Sequence, residues 1–267
     1  MVKSLSMLVV CTIFCVVGFS IHSSARVPTA IAEVLADSAP APFCDAKDVA
    51  KDQRTRYTIE GWVTAHSGSF EKSYGNPGFQ VSDGTAGVFV LTNRNLDFEQ
   101  GDRVRVTGRP CIQAGTRAIG KSRVRELDDD DDPITFAPRQ IGQFEKRPPI
   151  EGSPDVTNNW CNCTTPASAT EGQVITVRGT AVGDLEKDGE FGYKLFLDDG
   201  TGVGQIFIDA LSGIPAERLG ERLLTEGTDL CVTGVVARFA GVGFELLPRT
   251  RDDLRKARPG RKHACRD

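Results

Sequence analysis

Apolar and polar positions alternate with a period of two over most of this chain, in short runs that recur in the same order. Residues 57–64 alternate, with Tyr57, Ile59, Gly61 and Val63 on one face and Thr58, Glu60, Trp62 and Thr64 on the other. That is the pattern of a half-buried strand. Residues 174–181 are its counterpart. Next comes a hairpin cassette around Asp83-Gly84-Thr85, repeated around Asp199-Gly200-Thr201. In each, Asp accepts local backbone bonds and Gly supplies positive φ between two β-branched and aromatic runs. Further strands are predicted at residues 78–82, 87–92, 103–108 and 118–126. The second copy adds a short helix within 214–224, where Pro215 precedes apolar residues at helical spacing; its counterpart, 93–100, is shorter. Two all-β modules of five strands each follow from this order of parts.

The 267-residue length accommodates two such modules, each with its own core. The division reads as a signal peptide over 1–25, an Ala/Ser/Pro entry segment over 26–53, module 1 over 54–135 and a linker over 136–171. Module 2 then covers 172–255, and a basic tail 256–267. Lys3, the apolar run from Met7 to Ile21 and the small residues Ser23-Ser24-Ala25 predict export and cleavage near Ala25. The mature chain would then be secreted or periplasmic, with no membrane segment; the alternative reading of the apolar run is an uncleaved membrane anchor, for which about 15 residues is short. Of the eight cysteines, removing Cys11 and Cys15 with the signal leaves Cys44, Cys111, Cys161, Cys163, Cys231 and Cys265. An even set in an exported chain favours disulfides. Cys44 is expected to pair with Cys111, and Cys231 with Cys161 or Cys163, the remaining one joining Cys265. The formal charge of −4 argues against binding a polyanion through the overall field, so any such site must be local.

Five short strands, a connection between the third and fourth, and Gly61 and Gly179 at the bend of a long first strand describe the OB-fold. The two halves resemble OB modules of the anticodon-binding type found in exported bacterial proteins, often beside extracellular nuclease domains. The Asp-Gly-Thr turns carry the resemblance, with Val106-Thr107-Gly108, Val232-Thr233-Gly234, Leu247-Pro248-Arg249 and Asp252-Asp253-Leu254. It implies two tandem OB barrels and single-stranded nucleic acid as the first ligand to consider.

Candidate ligand-binding residues follow from strand parity. With Val88, Val90, Ile206 and Ile208 in the cores, Phe89 and Phe207 face outward, with Phe196 beside Phe207 and Trp62 on the first strand. An exposed aromatic row would stack bases. The alternative is that these rings pack against the other module or under loops. Arg103 and Arg105 share the outer side of strand four, and Lys121, Arg123 and Arg125 alternate on strand five; they would contact phosphates or serve as a solvated face. The acids at 128–132 lack the spacing of a calcium loop, Cys161 and Cys163 lack a second zinc-ligand pair, and no cofactor or metal is expected. No catalytic motif accompanies the modules, so the expectation is a non-enzymatic, exported binding protein. Its partner is single-stranded nucleic acid or, alternatively, another envelope or secreted protein.

Overall fold

The computed structural model describes residues 28–37, 43–44, 55–128, 171–200, 202–239, 243–258 and 265. The expected signal peptide, most of the entry segment, the linker, Cys161, Cys163 and most of the basic tail lie outside them. The described residues are mostly strand, with no helix long and apolar enough to cross a membrane.

The first barrel contains β1 (Tyr57–Ala65), β2 (Gly78–Ser82), β3 (Gly87–Leu91), β4 (Arg103–Gln113) and β5 (Thr116–Glu126). They close in the order β1-β2-β3-β5-β4, with β3 and β5 parallel and every other neighbour antiparallel. The second contains β6 (Val174–Asp188), β7 (Gly192–Asp198), β8 (Val203–Asp209), β9 (Asp229–Phe239), β10 (Gly243–Leu247) and β11 (Leu254–Lys256). Here β6-β7-β8-β10-β9 repeats the same circuit, closed by β9 pairing with both β6 and β10. This is the pairing order of the OB-fold, present twice. The two ladders also share a rung, a threonine hydroxyl pair: Thr58 with Thr107 at 2.9 Å and Thr176 with Thr233 at 2.8 Å.

The fifth strand differs between the copies. In the first barrel it is continuous, with Lys121 and Ser122 bulged opposite Gly108 and Lys121 at φ 49°. In the second, β10 ends at Leu247 because Pro248 has no N–H to donate to the ladder. A 3₁₀ turn at Arg251–Asp253 then returns the chain to β9 as β11. Within this detour the Arg249 guanidinium donates two bonds to Asp253, at 2.9 and 2.8 Å, and one to the Thr64 carbonyl of the first barrel at 3.0 Å.

Alternate residues fill each core. Ile59, Val63, Val81, Val88, Val90, Val104 and Val106 line the first barrel, and α1 (Ile31–Asp37) adds Ile31, Val34 and Leu35 to that core. The α1 helix is fastened by Asp83, which accepts from the Ile31 N–H at 2.7 Å as well as from its own turn. Leu195, Leu197, Ile206, Ile208, Leu230 and Val232 line the second barrel, with α3 (Ala216–Gly220) at its margin.

Two cysteine pairs stand at disulfide distance. Cys44 joins Cys111, as the sequence suggests. Cys231, expected to pair with Cys161 or Cys163, instead joins Cys265. The reason is that Cys231 sits on the outer side of β9 opposite Arg255 of β11, so the chain beyond β11 starts close to it.

Candidate functional site

Outward-facing aromatic residues meet between the barrels. Phe89 and Phe207 point away from their own cores, as parity requires, but each is covered: Phe89 is 1% exposed and Phe207 5%. They share one apolar cluster with Phe70, Tyr74, Ala118, Val235 and Leu247. Phe70 and Tyr74 come from the connection after β1, which reads as polar and Gly-rich yet contains α2 (Glu71–Tyr74). Tyr74 stacks on Phe89 with centroids 4.0 Å apart. Phe196 is partly buried and stands opposite Gln205, while Lys194 is the direct cross-strand neighbour of Phe207. The four aromatic candidates therefore form no continuous exposed row; two of them join the barrels together.

Polar contacts complete this joint. Gln80, opposite Phe89, donates to the Gly172 carbonyl at 2.9 Å, and the Arg117 N–H donates to Glu171 at 2.6 Å. The Thr116 hydroxyl donates to the Arg238 carbonyl and accepts from its N–H. Gly87 and Gly172 touch backbone to backbone: a Cβ on Gly172 would lie 2.1 Å from the Gly87 oxygen. The outer face of β2 and β3, where OB modules commonly hold ligands, is thereby occupied by the second barrel.

The joint also encloses ionisable groups. Glu245, on the outer side of β10, accepts from Gln205 at 3.0 Å and is 5% exposed. Burial raises its carboxyl from 4.5 to about 8, against the smaller opposing effects of Gln205 and Lys194. Burial likewise raises Glu171, and pushes the Tyr74 hydroxyl above its ordinary range. For Glu245 the folded protein holds a proton that the unfolded chain releases, so this contribution to stability is present below pH 4.5 and is lost as pH rises to about 8. Glu245→Gln should remove that loss: denaturant titrations at pH 5, 7 and 9 should show the variant gaining on the native protein up to about pH 8. Parallel pH profiles would contradict the assignment.

The basic candidates behave differently. Trp62, Arg103, Arg105 and Arg123, together with Arg125, lie on one outer face made by β1, β4 and β5. Register aligns Trp62 with Arg103, Glu60 with Arg105, Arg105 with Arg125, and Thr107 with Arg123. The Arg103 guanidinium sits over the Trp62 ring, 5.4 Å from its centroid. Glu60 pairs with Arg103 at 3.5 Å and accepts from Arg105 Nε at 2.5 Å. Arg123 and Arg125 are exposed and have no acidic partner among the described residues, and Lys121 is exposed at the bulge beside them. The arrangement is a three-stranded platform with surplus positive charge and one aromatic ring at its end. It can hold successive anionic groups along β4 and β5 while Trp62 supplies a stacking surface.

The corresponding face of the second barrel carries fewer cations, with Arg255 of β11, opposite Cys231, in the place of Arg125. Aligning Gly179 with Gly61 puts Arg178 where Glu60 stands, Asp229 where Arg103 stands and Cys231 where Arg105 stands. Arg178 and Asp229 form a one-to-one pair, and Cys231 is closed by its bond to Cys265.

No family model matches the chain, and no curated protein matches it. Among solved structures, a murine DNA-binding protein bound with double-stranded DNA aligns over 72% of this chain and 93% of its own, at 11% identity and a TM-score of 0.35. A deletion mutant of the single-stranded DNA-binding protein from Thermus aquaticus aligns over 78% and 96%, at 11% identity and a TM-score of 0.22. At those scores neither bears on what this chain binds; the OB assignment rests on the pairing order of the two barrels.

Proposed function

We propose that this is an exported, non-enzymatic OB-fold protein that binds single-stranded nucleic acid on the outer β1-β4-β5 face of its first barrel. The observation that carries the reading is a local excess of guanidinium groups, two of them without an acidic partner among the described residues, next to Trp62 on a chain that is acidic overall. The equivalent face of the second barrel, where Arg178 pairs with Asp229 and Arg255 stands opposite Cys231, carries a smaller excess. The paired cysteines and the N-terminal apolar run support export.

Fluorescence polarisation with labelled single-stranded DNA of about 20 nucleotides, over a salt series, tests the reading. Trp62→Ala is expected to weaken binding about tenfold, as for one lost stacked base, and to leave the salt dependence unchanged because stacking releases no counterions. Equal binding by Trp62→Ala and the native protein would remove Trp62 from the interface.

A second reading, a protein-interaction module of the envelope, is favoured by the free end of the second barrel. There Phe191 and Leu211 are 50% and 49% exposed, and Ala210 N–H donates to the Phe191 carbonyl between them. A nuclease-resistant complex from envelope extracts that is lost in Phe191→Ser/Leu211→Ser would support it over the nucleic-acid reading.

A further inference from the structure

We infer that Glu60 is a built-in competitor for the ligand, which makes the arginine face selective for linked phosphates over single anions. The inference rests on the nucleic-acid reading above. Both carboxylate oxygens of Glu60 are engaged, Oε1 by Arg105 and Oε2 by Arg103, and its side chain is 17% exposed. The two guanidinium groups nearest Trp62 therefore already hold an anion covalently tethered on the neighbouring strand. A lone phosphate meeting Arg103 or Arg105 must displace this tethered carboxylate, which competes at high effective concentration.

Arg123 and Arg125 have no such competitor among the described residues, and register places Arg125 directly across from Arg105. A polymer held first by Arg125 and Arg123 presents its next phosphate to Arg105 as a tethered group too. It then meets Glu60 on equal terms. Displacement passes along β4 toward Trp62, where Arg103 is released from the carboxylate and a base can reach the ring. At the same rung the second barrel has a one-to-one charge pair, Arg178 with Asp229, and Arg255 of the adjoining strand stands opposite Cys231. Two arginines converging on one acid, beside two with no acidic partner among the described residues, is an arrangement that suits an exchange of anions.

The test compares the native protein with Glu60→Gln and Glu60→Asp, using the same labelled single-stranded DNA over a salt series and unlabelled inorganic phosphate as a competitor. Thermal melts verify that each variant is folded. Removing a partly exposed ion-pair partner is expected to tighten DNA binding about fivefold, to steepen the logarithmic salt dependence by about 0.7, one additional released counterion on a single strand, and to make inorganic phosphate a more effective competitor. Glu60→Asp, which keeps the charge, should stay near the native salt slope. Binding that is unchanged or weakened in a folded Glu60→Gln protein would overturn the competitor role while leaving the nucleic-acid reading intact. Absence of DNA binding by native protein and variants alike would overturn both.

Discussion

Gly172→Val is expected to break the joint between the barrels, with a loss of about 2–6 kcal/mol. Two effects add at this position. Gly172 has φ +81°, a conformation that costs a branched residue about 1–3 kcal/mol. Its Cβ would also fall 2.1 Å from the Gly87 oxygen and 2.8 Å from Gln80 Nε2, the atom that donates to the Gly172 carbonyl. Backbone overlap of that kind has no side-chain escape, so the segment must move, and overpacking adds about 1–3 kcal/mol. Each barrel has a separate core, so the consequence should be separation before unfolding. Scattering should show a larger radius, a dye specific for apolar surface should bind as Phe89 and Phe207 become exposed, and denaturation should divide into two transitions. A single transition at the native midpoint would show that the joint tolerates the change.

The second large effect concerns binding. Reversing Arg123 and Arg125 to glutamate is expected to lower affinity for single-stranded DNA about 100-fold at low salt and to flatten the salt slope by about 1.4, two lost phosphate contacts on a single strand. Both side chains are exposed and have no acidic partner among the described residues, so the protein should remain folded with its native midpoint. The effect arises from removing two cations that no described acid neutralises and adding two anions on the strand beside Arg105. Replacing them with glutamine should give an intermediate loss without repulsion.

Much of the architecture is legible in the sequence because it is local. The alternation of Val88 and Val90 against Phe89 determines which side each residue occupies, and the Asp83-Gly84-Thr85 turn sets the hairpin. What parity cannot say is what covers an outward face. Phe89 and Phe207 obey the alternation and still end up buried, because the contact that covers them joins residues as distant as Gln80 and Gly172. Phe70 and Tyr74, spaced four apart in a Gly-rich connection, signal a buried helical turn there, although the surrounding polar residues obscure it. The Cys231–Cys265 pairing depends on the detour after Pro248, which returns β11 beside β9. By contrast Arg103, Arg105 and Arg123 emerge together because they lie on neighbouring strands of one antiparallel ladder, where periodicity alone fixes the shared face.

The most direct test of the central claim is a salt-series titration of labelled single-stranded DNA with three proteins: native, Arg123→Glu/Arg125→Glu, and Lys256→Glu. Lys256 is exposed on β11 of the second barrel and serves as a control for overall charge. Micromolar, steeply salt-dependent binding that survives Lys256→Glu and disappears in the arginine double variant is the predicted result. Native binding that falls equally in both variants, or no native binding even at low salt, would contradict it.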